Sequence, residues 1–335
     1  MRAAVFAREG VLELQQRPEP RLDRADEVLL EVEGCGLCGT DLHILASPPG
    51  HPATPGVVLG HEFIGRVREI GGGVRSLAPG RRVAVAPNLA CGVCRACQAG
   101  RPNHCTDFTT LGIFRDGGLA SLVAVPESAC HPIADAVPFE DAVWTEILSC
   151  VMGSADNVKA MPGETALVIG GGPAGALHAL LFAAAGARVI VADRSRSRLE
   201  VLARAGIPRV VDVSAEPLAE VVREETADGA DIVVDAVGDQ LDTALDLVRS
   251  GGRISLFGMN SHARPAVRQN TITRKELTIV GSYVGVHTFP RAIAILERGV
   301  IAPRALLTDI LPLDRVHDAL ARLRAGDAMK IAIRP

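Results

Sequence analysis

Two periodicities divide the chain. To about residue 140, short runs at 28–32, 65–70 and 82–86 carry the apolar residues, separated by turns rich in Gly and Pro. Such runs predict a compact, mostly β region. From about residue 165 the texture changes. Apolar strand runs at 166–169, 188–192, 232–236 and 253–257 alternate with Ala- and Leu-rich helical segments at 176–185, 198–205 and 241–248. Strands that are apolar throughout predict a parallel sheet covered by helices on both faces. An apolar strand is expected at 277–284, then a helix at 291–298 and a closing strand at 330–333.

A length of 335 residues exceeds one ordinary core and suits two domains. Hydrophobic residues make up 48%, enough for a globular chain, but no run approaches the roughly eighteen apolar residues of a membrane-spanning helix. The start, Met1-Arg2-Ala3-Ala4-Val5-Phe6, enters an alternating strand pattern and has no secretory signal pattern, so a cytoplasmic location is expected. A formal charge of −4 without a Lys/Arg block argues against nucleic acid. Six of the eight cysteines fall in two clusters, which in a cytoplasmic chain means metal or redox chemistry; Cys130 and Cys150 stand apart.

Cys91, Cys94, Cys97 and Cys105 follow C-x2-C-x2-C-x7-C, a spacing that lets one loop wrap four thiolates around an ion. Zinc is the natural occupant, with Gly92 and Gly100 suited to a metal knuckle; an iron–sulfur cluster or a redox dithiol are the alternatives. Four filled positions leave none for substrate. This ion would brace a loop.

Residues 165–169 read as a strand running into Gly170-Gly171-Gly172-Pro173-Ala174-Gly175 and a helix. This is G-x-G-x-x-G in the context of a dinucleotide site: Gly170 for the tight turn, Gly172 for approach to pyrophosphate, Gly175 for close helix packing. The second strand ends at Asp193, whose carboxylate would take both ribose hydroxyls and repel a 2′-phosphate, favouring NAD. Arg194, Arg196 and Arg198 crowd the same corner and could tolerate NADP. Asp235–Gly238 and Gly251–Gly258 read as strand ends beside the nicotinamide, though tight turns explain most of their glycines equally well.

Cys35-Gly36-Leu37-Cys38-Gly39-Thr40-Asp41-Leu42-His43 precedes Gly60-His61-Glu62 by about twenty residues, offering thiolate, imidazole and carboxylate to one open site of the kind a catalytic zinc uses. The order Gly-x-Cys-Gly-Thr-Asp, Gly-His-Glu, four-cysteine lobe and Gly-rich turn resembles the zinc-containing medium-chain alcohol dehydrogenases over essentially the whole chain. It looks closest to their polyol, cyclitol and threonine dehydrogenase branch. Glu146, in Trp144-Thr145-Glu146-Ile147-Leu148, stands where classical alcohol dehydrogenases carry a second zinc cysteine.

That resemblance implies an α/β chain: a mostly-β GroES-like catalytic domain over 1–145, completed by 288–335, and a doubly wound parallel-sheet Rossmann domain over 146–287. It makes Cys38 and His61 zinc ligands, and Glu62 and Glu146 either ligands or partners of the water there, with Cys150 a fallback ligand. Asp41 would orient His61 through its second ring nitrogen, and Cys35 is a small buried hydrophobe. An alcohol held by zinc becomes acidic enough to lose its proton, which must leave a dry pocket. Thr40 and His43 occupy the relay positions by resemblance; otherwise His43 is an ordinary surface histidine. Arg198 becomes a ribose contact.

The expected activity is NAD-linked, zinc-dependent oxidation of a polar secondary alcohol (a polyol, cyclitol or aminocyclitol) to a ketone, with two zinc ions per subunit in a homodimer or homotetramer and no membrane partner. Arg115, Asp116, Tyr283 and His287 are the expected polar contacts to substrate. Threonine-type or general secondary alcohol oxidation is the alternative. A non-catalytic NAD- and zinc-binding protein should have lost one of Cys38, Thr40, His61 or Glu62, and a zinc-free quinone reductase would lack both cysteine clusters.

Overall fold

A ten-residue strand, Glu27–Gly36, buried along both its halves, anchors the first sheet of the chain, here described for all 335 residues in a computed structural model. Its neighbour Glu62–Ile70 runs antiparallel along its length, with Gly36 opposite Glu62. Leu122–Pro126 pairs with its first half, and Ile331–Arg334, from the far end of the chain, with its last residues, placing Ala332 opposite Gly36. The seven-stranded sheet continues through Arg82–Val85 and Cys130–Pro132 on one side and Asp309–Pro312 on the other. Two register shifts against Glu62–Ile70, at Leu29/Leu30 and Val32/Gly34, bend the central strand. Val28, Leu30, Phe63, Val83, Val125 and Ile333 fill the core.

The second sheet has six parallel strands: Arg209–Asp212, Arg188–Asp193, Thr165–Ile169, Ala230–Asp235, Val248–Leu256 and Thr278–Gly281, in that spatial order. Numbered along the chain this is 3-2-1-4-5-6, the doubly wound order that opens a crevice between strands 1 and 4. The chain accordingly forms two units, Met1–Ile147 with Phe289–Pro335, and Leu148–Thr288. No helix is long and apolar enough to cross a membrane.

Arg209–Asp212 and the helix Leu218–Glu225 were not legible, because their apolar residues are interrupted by acids and arginines. The expected strand at 277–284 is shorter, Thr278–Gly281, since Val284 takes a left-handed φ of 50° that a β-branched residue adopts only when its surroundings impose it. Thr288 Oγ1 donates to Ser149 O at 2.7 Å and Asn157 Nδ2 to Ser282 Oγ at 3.0 Å, fastening the segment to the helix Thr145–Val158.

His178, on the glycine-rich turn's own helix, is fully buried against the rings of Phe182 and Phe257. Its Nδ1 lies 2.8 Å from Ala174 O, and a carbonyl only accepts, so Nδ1 carries the proton. Nε2 therefore accepts from Ser154 Oγ at 2.9 Å, and Ser255 donates to Ser154 at 2.7 Å. Every member of the chain is satisfied. Burial pushes the His178 pKa down to about 4.

Candidate metal and cofactor sites

The four cysteines of the lobe bring their sulfurs within 4.8 Å of one another. Gly92 and Gly100 take left-handed φ of 75° and 73°, turning the chain around the cluster. The amides of Cys91 and Asp107 point at Cys105 Sγ at 3.2 and 3.3 Å, and that of Cys94 at Cys91 Sγ at 3.3 Å. Backbone N–H groups of Cys97 and Thr106 lower the Cys94 pKa, while burial and the neighbouring Cys94 sulfur raise that of Cys97, so the two thiols share their protonation. Amides aimed at sulfur favour thiolate, the form a metal binds. The lobe holds little else: a four-residue helix, Arg95–Gln98, one 3-10 turn, and the two-residue strands Asn88–Leu89 and Thr109–Thr110. Such a segment has no core of its own, so four-thiolate zinc fits it as a brace.

Cys38 stands at the N-terminus of the short helix Gly39–Ile44, just beyond the central strand, while His61 and Glu62 stand where the neighbouring strand begins. Their donor atoms also fall within 4.8 Å of one another. Asp41, three residues into the helix, ties the two ligand-bearing segments together. Its Oδ2 accepts from the Cys38 amide at 2.9 Å, and its Oδ1 faces His61 Nδ1 at 3.7 Å. Cys38 Sγ is 3.7 Å from Thr40 Oγ1. His43 is exposed, with Gly50 backed against its ring. Glu146 is buried but outside the three-residue cluster.

Three buried polar atoms without a hydrogen-bond partner gather at this site: Asp41 Oδ1, His61 Nδ1 and Glu62 Oε1. Such atoms are rare and costly in a protein interior. Burial lowers the His61 pKa, but Asp41, Cys38 and Glu146 outweigh it and raise the value to about 10. The surroundings favour a positive charge, and thiolate, imidazole and carboxylate form a donor set suited to zinc with a position left open. Cys35 is fully buried with its thiol pKa well above the ordinary value, first through burial, as expected of a packing residue. Lys330, which the sequence pattern does not single out, is 1% exposed and paired with Glu62 Oε2. A lysine at the start of the otherwise apolar run 330–333 is the only signal in the sequence.

In the second unit, Gly170 has φ 103°, which frees the turn, and a Cβ on Gly175 would lie 1.8 Å from Gly170 O, so only glycine lets the helix Pro173–Ala184 pack there. Over Gly172 the nearest atom to a built Cβ is Arg198 Nη1 at 3.9 Å, leaving backbone open to a pyrophosphate. Pro173 and Ala174 form the helix's first turn. Asp193 is buried, its Oδ2 accepting from Gly171 N at 2.6 Å and its Oδ1 from Ser195 N at 2.7 Å, with Arg198 Nη1 at 3.8 Å. Asp235 accepts three backbone amides, of Val237, Gly238 and Gln240, and so holds its own turn.

Of the expected substrate contacts, Arg115 and Asp116 lie in the first unit and Tyr283 and His287 in the second. Asp116 Oδ1 is taken by the Val58 amide at 2.8 Å, and Arg115 faces Glu27 at 3.7 Å in an open groove of about 430 Å³ with Arg24 and Asn88. Tyr283 and His287 lie in the segment that follows the sixth parallel strand, His287 at φ 55°.

Family models describe two stretches: an alcohol dehydrogenase GroES-like domain over residues 24–135 and a zinc-binding dehydrogenase domain over 173–298. The chain is 31% identical to D-arabinitol dehydrogenase 1 of Uromyces fabae, covering 94% of this chain and 92% of that one. It is 32% identical to an L-threonine 3-dehydrogenase of Xanthomonas oryzae, over 96% and 95% of the two chains. Among solved structures, a zinc-binding dehydrogenase of Sinorhizobium meliloti bound to NADP superposes with a TM-score of 0.93 at 30% identity, covering 100% and 99%. An alcohol dehydrogenase of Escherichia coli CFT073 complexed with NADH gives 0.93 at 31%, with the same coverage.

Proposed function

The chain belongs to the zinc-containing alcohol dehydrogenase family, in its polyol dehydrogenase branch, and we propose that it oxidises a polar, multiply hydroxylated secondary alcohol with NAD at a zinc held by Cys38, His61 and Glu62. It is a zinc-dependent, NAD(P)-linked oxidoreductase acting on a CH–OH group. The observation that carries the site is the cluster of three donor atoms within 4.8 Å, beside buried polar atoms that lack a partner.

When bound, zinc supplies Lewis acidity toward the substrate hydroxyl and NAD accepts the hydride. Asp41 holds the Cys38 backbone and places its other oxygen 3.7 Å from His61 Nδ1, where a small movement would let it orient the ring. Thr40, beside Cys38 Sγ, would accept the substrate's hydroxyl proton as it gives up its own, and exposed His43 would release a proton to solvent. Glu146 adds negative charge that offsets the metal. A second zinc braces the cysteine lobe. Gly170, Gly172, Pro173, Ala174 and Gly175 cradle the pyrophosphate, with Asp193 and Arg198 at the adenosine ribose. NAD is preferred because Asp193 is a carboxylate held in place by two amides, which a 2′-phosphate would meet at close range.

Glu146 in place of a cysteine ligand, an aromatic content of 3% and the arabinitol dehydrogenase relative support a polar substrate. Clustered metal-ligating thiols suit a reducing cytoplasm, and the edge strand Thr278–Gly281 suits pairing between subunits of a homodimer or homotetramer. Initial rates with NAD across polyols, cyclitols, aminocyclitols, threonine and simple alcohols test the substrate class. The largest kcat/KM should fall on a polyol or cyclitol, with deoxy analogues about ten- to hundredfold poorer for each lost buried hydrogen bond. Higher kcat/KM for simple aliphatic alcohols would overturn it.

A further inference from the structure

Lys330 and Glu62 form an ion pair with both partners out of solvent, at 1% and 0% exposure. Strand register fixes the meeting. Gly36 on the central strand lies between Glu62 on one neighbour and Ala332 on the other, and Leu37 N donates to Ile331 O at 2.9 Å. The pair passes over Gly36: a Cβ there would lie 2.5 Å from Glu62 Oε2 and 2.9 Å from Lys330 Cε. The missing side chain is the space the pair occupies. On its other flank the Lys330 ammonium lies 5.6 Å from the ring centre of Trp144, the only tryptophan of the chain.

A buried ion pair is a poor device for stability, since apolar residues of similar volume do as well without the cost of desolvating two charges. Its placement carries more meaning. Lys330 holds only Oε2 of Glu62; the other oxygen, Oε1, is buried without a partner and belongs to the carboxylate that reaches Cys38 and His61. An ion in that site would face the Cys38 thiolate and the Glu62 carboxylate, with Glu146 buried outside the cluster. If Glu62 bound it through both oxygens, alongside Cys38 and His61, the fourth position would close, and a closed zinc site braces but does not turn over.

We propose that Lys330 is a positioning residue, a built-in counter-cation that holds Glu62 by one oxygen and keeps it from closing the metal's open position. This rests on the reading of Cys38, His61 and Glu62 as zinc ligands. Removing the ammonium while keeping the length of the side chain, as in Lys330→Met, frees a full negative charge beside the ion, so Glu62 grips it. Zinc retention then rises while turnover falls. A lysine that merely supports the fold gives the opposite sign for retention, because a loosened site sheds its metal faster.

The test is zinc transfer from the holoenzyme to a chelator in excess, followed with a metal indicator. The phase missing in Cys38→Ala marks this site. Effects of outer-shell partners on metal affinity run about ten- to hundredfold, and the site's phase should slow about tenfold in Lys330→Met. Lys330→Arg should restore the wild-type rate, and Lys330→Met with Glu62→Gln should abolish the slowing. Lys330→Gln, which removes the charge but keeps a donor to Glu62, should slow the phase too and serves if the methionine variant does not fold. An unchanged or faster phase in a folded charge-removing variant overturns the role of Lys330 and leaves the metal site standing. A wild type with no phase sensitive to Cys38→Ala overturns both.

Discussion

His61 and His178 are both closed off from water, at 5% and 0% exposure, yet their surroundings drive them in opposite directions. Burial alone favours the neutral ring in both. Around His178 lie a carbonyl, a serine hydroxyl and two phenyl rings, so burial decides and its pKa falls to about 4. Around His61 lie Asp41, the Cys38 sulfur and Glu146, and these reverse the effect of burial, to about 10. The two histidines show that seclusion does not mark a functional site. What marks it is an excess of buried anionic groups with polar atoms left unpartnered.

The comparison breaks first at His61. His61→Ala removes a ligand worth several kcal/mol of transition-state stabilisation, so turnover should fall at least about a thousandfold. NADH binding, followed by fluorescence titration, should stay within about twofold, because the residues read as its cradle lie in the other unit. Loss of NADH affinity together with retained turnover would contradict the division of labour.

His178 makes the converse case, through stability. Its unfolded value is near 6.5 and its folded value about 4, so between them the unfolded chain binds more protons. Its contribution is full above about pH 6.5, declines as the pH falls through that window, and levels off below about pH 4. The total is about 3 kcal/mol. Urea unfolding at pH 7 and pH 4.5 should show His178→Leu losing markedly less stability on acidification than the wild type. Equal losses would show that this ring does not titrate with unfolding.

A smaller effect carries the contrast to the acids. Asp41 faces a histidine, whereas Asp193 faces the amides of Gly171 and Ser195 and is read as a ligand contact. Asp193→Ser removes hydrogen bonds from a charged acceptor, worth about 1.5–3 kcal/mol. The ratio of kcat/KM for NADP over NAD should rise about ten- to hundredfold. A wild type that already prefers NADP would refute the assignment.

Features legible in the sequence were those held by local spacing. The cysteine lobe and the glycine turn each lie within a few residues of chain, and their geometry follows from the backbone they impose, as Gly170 and Gly175 show. The Lys330–Glu62 pair was not legible, because 268 residues separate its members and only the register of two antiparallel pairings brings them together. Arg115 and Asp116 have polar partners, Glu27 and the Val58 amide, that their neighbours in sequence do not reveal. The strand expected at 277–284 stops at Gly281 because tertiary ties hold Val284 in a conformation that composition does not favour.

If the cysteine lobe and the Cys38/His61 site each hold a zinc ion with a different job, counting metal against turnover separates them. Elemental analysis of metal-replete protein should give two zinc ions per chain in the wild type. Cys38→Ala should keep one and lose turnover. If the wild type holds a single zinc, or Cys38→Ala retains both ions or its activity, the assignment of a catalytic metal to Cys38 and His61 is wrong.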